Sequence, residues 1–191
     1  MPSIQEFLSL VRTKNIARTE KFEVKIFGPN INPTVEKDYL TLLCEEASIP
    51  GLNIGTRTVR LHNLTVQRPR TIDYMGESAS FTFLVDGEWK VRNYFDTWMQ
   101  KIIKPTREVA NYLDIIGRIE INALHEGTLS DNVADIPAQQ TWEQHVRYGV
   151  LLEEAFPKGI NVMPMSYSNS GLQRVQINFA FKYWKINPIQ E

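Results

Sequence analysis

The sequence predicts a mainly β fold of the α+β kind, an antiparallel β-sandwich or partial barrel with a helix on its flank. Three observations carry this. Apolar residues recur at a period of two in several separate segments, the signature of half-buried strands. A single segment, from Val91 to Ile103, has a strong helical period instead. The chain has 191 residues, 42% hydrophobic and 10% aromatic, which is one domain's worth of core without staples.

Along the chain, Ser3 and Glu6 form a capping box, and Ile4, Phe7, Leu8 and Val11 follow as one apolar stripe. This short helix needs a partner, either the core or a neighbouring subunit. From Ala17 the period becomes two: Phe22, Val24 and Ile26 alternate with Lys21, Glu23 and Lys25 up to Gly28-Pro29. Residues 29–38 read as a turn-rich loop. Tyr39 to Ile49 reads as a second strand closed by Pro50-Gly51, and Gly55 to His62 as a third. Ala79 to Val85 is a clear strand, with Phe81, Phe83 and Val85 on one face and Ser80, Thr82 and Leu84 on the other.

The helix follows Asp86-Gly87, and its face of Val91, Tyr94, Phe95, Trp98, Ile102 and Ile103 belongs against a sheet. Pro105 stops it. Ile115 to Ala123 alternates again, residues 126–140 read as an exposed polar loop, and Trp142 to Glu154 as another strand. The last strand is expected to be long and unbroken, with Val175, Ile177, Phe179, Phe181 and Tyr183 opposite Arg174, Gln176, Asn178, Ala180 and Lys182. The expected core includes Phe81, Phe83, Tyr94, Phe95, Trp98, Val175, Ile177 and Phe179. The organisation is one domain over 1–191: a helical arm (1–16), the sandwich (17–185, with its helix at 90–103) and a short tail (186–191).

Several function classes are disfavoured. With 21 basic and 22 acidic residues, no basic face is expected, and Arg68-Pro69-Arg70 is only a local spot. One cysteine, Cys44, gives neither a disulfide framework nor a cysteine zinc site, and it reads as a small buried hydrophobe. No secretory signal or membrane span is expected, so the Asn63-Leu64-Thr65 sequon carries no weight. His62, His125 and His145 lack metal-ligand spacing, and no nucleophile elbow or phosphate loop occurs. The adjacent pairs Glu45-Glu46 and Glu153-Glu154 should point to opposite strand faces, which prevents a shared proton. No catalysis, metal or cofactor is expected, in a soluble protein of a reducing compartment.

The order of these pieces resembles the major tail tube protein of contractile-tailed bacteriophages, from about Ala17 to Trp184. The resemblance rests on FEVKIF, on LCEEASIPGL, on SFTFLVDGEWKVRNYFDTWMQKI with its strand leading into an aromatic helix, and on the closing FPKGINVMPMSYSNSGLQRVQINFAFKYWK. In that closing block a Phe-Pro turn, a strand and a Ser/Asn turn precede the final strand. The resemblance implies a homohexameric ring whose inner strands close into one large β-barrel, and rings stacked into a tube within a contractile sheath. The implied partners are further copies of itself, the tail sheath protein, the tape measure protein, and baseplate and tail-terminator proteins. DNA would pass without specific binding and no membrane would be involved. The implied location is the virion, after assembly in the host cytoplasm.

Long alternating strands with open edges fit such closure. Residues 29–38 and 126–140 look longer than a minimal member needs, which leaves room for a baseplate tube-initiator paralogue or the tube of a related contractile injection system. A small-ligand β-barrel is the alternative from another class. Within the tube reading, Ile4, Phe7, Leu8 and Val11 are candidates for a subunit interface. Ser80, Thr82, Arg174, Gln176, Asn178 and Lys182 are candidates for the lumen. Their basic members would then need acids such as Glu45 or Glu46 beside them, or phosphates would be retained.

Overall fold

A computed structural model describes residues 3–6, 8–9, 17–29, 37–62, 64–75, 78–103, 108–126, 144–168 and 170–187. Its elements are β1 (Phe22–Phe27), α1 (Lys37–Leu43), β2 (Cys44–Ala47), β3 (Gly51–Leu61), β4 (Leu64–Met75), β5 (Ser78–Leu84), α2 (Lys90–Ile102), α3 (Tyr112–Ile115), β6 (Gly117–Glu126), β7 (Gln144–Ile160), β8 (Arg174–Ala180) and β9 (Tyr183–Ile186). All strand pairs are antiparallel. The main path runs β1-β6-β7-β8-β5-β2, with β9 on β7, and β3-β4 stands apart as a two-stranded ribbon.

Strand β7 explains how that path becomes two layers. Its first part pairs with β6 and β9, and its last part, Phe156 to Ile160, pairs with β8. The corner falls at Glu154, which has a φ of 54°, a left-handed backbone that turns the strand. Phe156-Pro157, expected to be a turn, lies inside β7 instead. Proline fits there because the register is irregular between Pro157 and Gly159, a place where a strand tolerates it.

The chain between β8 and β9 changes layers at the same corner, where the Lys182 N–H donates to the Glu153 carbonyl at 3.2 Å. The expected single final strand is therefore two strands in two layers. Alternation continues through the break, so the periodicity gives no sign of it.

Both layers turn apolar residues to one shared core. Val24, Ile26, Ile119, Ile121, Val150 and Leu152 come from one layer, and Phe81, Phe83, Val175, Ile177 and Phe179 from the other. Helix α2 completes it with Val91, Tyr94, Phe95 and Trp98. Tyr94 is 7% exposed, and the other seven residues expected in the core are fully buried. Trp98 is the largest of them; its indole N–H donates to the Ile115 carbonyl at 2.8 Å, and its ring lies edge-on to Phe179 at 5.9 Å. Gly117 gives that ring room, since a Cβ there would meet the Phe27 carbonyl at 2.6 Å and the indole at 2.9 Å.

Asp86 starts the helix by accepting from the Val91 N–H at 3.3 Å. Partial burial alone would raise its carboxyl pKa, but the Val91 and Lys90 N–H groups hold it below the ordinary value. Ile103 has left the helix and is exposed, bridging to Val109.

Two other expectations are corrected. Tyr39 to Ile49 is not one strand: helix α1 occupies Lys37–Leu43, and strand β2 begins only at Cys44. One side of α1 is anchored by buried Leu40, while Leu42 is 82% exposed. Pro50-Gly51 does not close a strand but opens β3, whose partner β4 runs through the Arg68-Pro69-Arg70 spot.

Candidate assembly surfaces

The layer β2-β5-β8 with the end of β7 has a polar outer face. Arg174 and Gln176 are exposed on it and Asn178 is half-buried, alternating with buried Val175, Ile177 and Phe179. Register places Ser80 opposite Asn178 and Thr82 opposite Gln176. Side chains link the four strands: Asn161 donates to Gln176, Gln176 Nε2 donates to Ser80 Oγ at 2.7 Å, and Ser48 Oγ donates to the Ser80 carbonyl at 3.0 Å.

Acids stand next to the base on this face. Arg174 holds Glu45 with two hydrogen bonds, at 2.5 and 2.9 Å, and Thr82 donates to Glu46 at 3.0 Å. The expectation that Glu45 and Glu46 face opposite ways fails because β2 is irregular between Cys44 and Glu46. An extra residue in one strand puts both neighbours on the same side. The Arg174 hydrogen bonds hold the Glu45 carboxyl below the usual range.

Lys182 is not in this row. Beyond the end of β8, it pairs with Glu154 at 2.7 Å, and Tyr112 donates to the same carboxylate at 2.7 Å. The sequence gives no warning, because its alternation runs on through the corner.

Both outer strands of this layer have an unpaired side. Among the described residues, β2 pairs only with β5, and Phe156 to Ile160 of β7 only with β8. At the start of β2, Cys44 is half-buried, and burial pushes its thiol pKa up to about 12.

The ribbon β3-β4 pairs Gly51 with Met75 at its base and Leu61 with Leu64 near its tip. The base is held by Tyr74, which meets Phe181 and Trp184 edge-on at 6.5 and 6.4 Å, and by Trp184 Nε1 donating to the Gly51 carbonyl at 3.3 Å. Leu52, Ile54, Leu64 and Ile72 are all at least 45% exposed. Pro69 sits at the register irregularity after Gly55, a place where a strand tolerates proline. That proline and the two arginines flanking it, Arg68 and Arg70, disguise β4 in the sequence.

At the N-terminus the capping box is formed: Ser3 N–H donates to Glu6 Oε2 at 2.8 Å, and Glu6 N–H donates to Ser3 Oγ at 3.2 Å. Ile4 is 79% exposed and Leu8 47%. Phe7 and Val11 lie outside the described residues, as do positions 127–140 of the expected polar loop. His125 and His145, distant in sequence, have their backbones set opposite each other by the β6–β7 register. Among the described residues, no group of His, Cys, Asp and Glu is arranged to hold a metal, and no helix is long and apolar enough to cross a membrane.

A sequence model of the phage tail tube protein family matches residues 17–187. Among solved structures, a chain of the sixfold-symmetrised anti-feeding prophage baseplate superposes with a TM-score of 0.59 at 9% identity, covering 92% of this chain and 98% of that one. A chain of the sheath–tube complex of an extracellular contractile injection system, in its extended state, gives 0.55 at 12% identity, with 98% and 99% covered. A chain of that system's sheath/tube terminator gives 0.56 at 10% identity, with 91% and 97% covered. At such identities the likeness is one of fold. No curated protein sequence matches the chain.

Proposed function

The chain belongs to the phage tail tube protein family, and on that premise we propose that it is the repeating subunit of a contractile tail's inner tube. Six copies form a ring and rings stack. The observation that carries this reading is the layer β2-β5-β8-β7, which is polar outside, apolar inside and unpaired along both outer strands among the described residues. Joining the β2 edge of one copy to the β7 edge of the next satisfies the open backbone groups and closes a wall with no edge left. A repeating ring-on-ring contact that never closes extends the wall into a tube.

In this reading Ser80, Thr82, Arg174, Gln176 and Asn178 line the bore. Arg174 is neutralised by Glu45, so the wall offers DNA no free arginine and lets it slide. The tape measure protein would fill the bore before ejection. The tail sheath would surround the tube, and baseplate and terminator proteins would cap its ends, with assembly in the host cytoplasm and final residence in the virion. The arm with Ile4, Phe7, Leu8 and Val11 would dock on a neighbouring copy.

A tube of a contractile injection system is the second reading, favoured by the fold likeness to sheath–tube and baseplate chains. A ligand-binding barrel has less support: the strand path is open between β1 and β2, and aromatic rings fill the interior.

The test is a thiol label at Asn178→Cys in a Cys44→Ser background. In assembled tubes, a reagent too large for the bore should leave the thiol unmodified, and a small one should react. Free modification by the large reagent turns this face outward and overturns the assignment.

A further inference from the structure

Nine arginines lie among the described residues, and they divide by region. On the sandwich, Arg18, Arg92, Arg118 and Arg174 each hold a carboxylate. On the ribbon, Arg57, Arg60, Arg68 and Arg70 are all exposed, and none has an ion-pair partner among the described residues; Arg147 is the other without one. Residues 54–72 contain these four arginines and no acid.

Register makes the imbalance sharper. Arg57 and Arg68 are directly opposite in the ladder, and alternation sets them on the face that also carries Val59 and Val66. Like charges directly opposite each other on a two-stranded ribbon destabilise it. Nothing in the described monomer offsets that cost.

From this we infer that the arginine-bearing face of the β3-β4 ribbon is a docking surface for carboxylates on the body of a second copy of this chain. The inference deepens the self-assembly reading and rests on it. Charge balance selects the occupant. Residues 51–75 carry four arginines and Asp73, a charge of +3, in a chain of net -1, so the remainder carries -4. A second copy therefore offers the opposite charge, with exposed Asp38, Glu108 and Asp114 free of ion pairs among the described residues. Exposed Leu64, whose ladder partner Leu61 shares a face with Arg57, adds apolar area to the same contact. Ion pairs between these arginines and the partner's carboxylates then fix its register.

The test compares wild type with Arg57→Glu/Arg68→Glu and Arg57→Lys/Arg68→Lys across a salt series, by sedimentation velocity and negative-stain microscopy. Circular dichroism melts establish that each variant is folded. Wild-type association should weaken steadily as salt rises. The Glu pair should weaken association at low salt by about tenfold or more, and the Lys pair should keep most of it. Arg57→Gln/Arg68→Gln is the fallback should the Glu pair not fold, with the same loss expected.

If wild type assembles and the Glu or Gln pair assembles equally well at every salt, the docking inference falls while the tube reading stands. A wild type that stays monomeric throughout overturns both. Retention of duplex DNA by assembled wild type, abolished in the Glu pair, would make nucleic acid the occupant and overturn the inference in a different way.

Discussion

On the polar face of the sandwich, Arg174 has Glu45 at hydrogen-bond distance and Glu46 close by; on the ribbon, Arg57 faces Arg68. Apolar residues divide the same way. Phe81, Phe83 and Phe95 have no exposed surface, whereas Ile54 and Ile72, partners across the ribbon, are 53% and 64% exposed. The aromatic core and the polar face of the sandwich thus find their partners within the chain, and the ribbon leaves both charge and apolar surface for something else to cover. In the proposed tube, a face that lets a polyanion slide needs its charges cancelled in place. A surface built to bind gains when its cancelling charges arrive with the partner.

Substitutions sharpen this contrast, and the largest effect is expected in the sandwich. Trp98→Ala removes a fully buried ring and the bond to the Ile115 carbonyl, and should cost about 3–5 kcal/mol, read as insoluble protein or a collapsed denaturation midpoint. Gly117→Ala pushes a methyl toward the Phe27 carbonyl and the indole and should cost about 1–3 kcal/mol by chemical denaturation. A wild-type midpoint for either would mean that the helix is not locked to the sheets.

The ribbon should respond with the opposite sign. Arg57→Gln/Arg68→Gln relieves a like-charge pair and should stabilise the monomer by about 0.2–1 kcal/mol while weakening assembly. Ile54→Ala should leave the monomer within about 0.5 kcal/mol of wild type. A large loss of monomer stability from either change would make the ribbon part of the fold and erase the contrast.

The smallest effect belongs to the polar face. Glu45 is held below its usual range by Arg174, so the pair's contribution is complete at neutral pH and is lost as pH falls through that lowered value. In Arg174→Gln, Glu45 should titrate in the ordinary carboxylate range, visible as a shifted NMR titration midpoint with little change in melting temperature. An unmoved midpoint would mean that the pair does not persist in solution. Deleting residues through Val11 should leave the melt intact and shorten tubes; loss of folding would assign the arm to its own subunit's core.

What the sequence shows well is what one strand or helix decides alone. The aromatic face of α2 and the alternation of β5 and β8 need only their own residues and a core to face. Four features depend on partners that periodicity does not see. Tyr39 to Leu43 is a short apolar run that fits either period, and burial of Leu40 with exposure of Leu42 selects the helix only in the folded chain. Strand β4 carries Pro69 between Arg68 and Arg70, and only pairing with β3 makes it a strand. The corner at Lys182 is set by β7, so Lys182 leaves the row that the sequence pattern gives it. Glu45 and Glu46 share a face because of a bulge, which alternation alone does not show.

The crossing of β7 between layers also has a mechanical side. Its backbone is a member of both sheets, paired with β9 up to Glu153, with β6 up to Ala155 and with β8 from Phe156 on, and the β8–β9 segment crosses at the same corner. A load that tends to peel one layer from the other meets two covalent chains there rather than a packed interface alone. The two layers are stitched along that side, and thrust taken by one is handed to the other through peptide bonds.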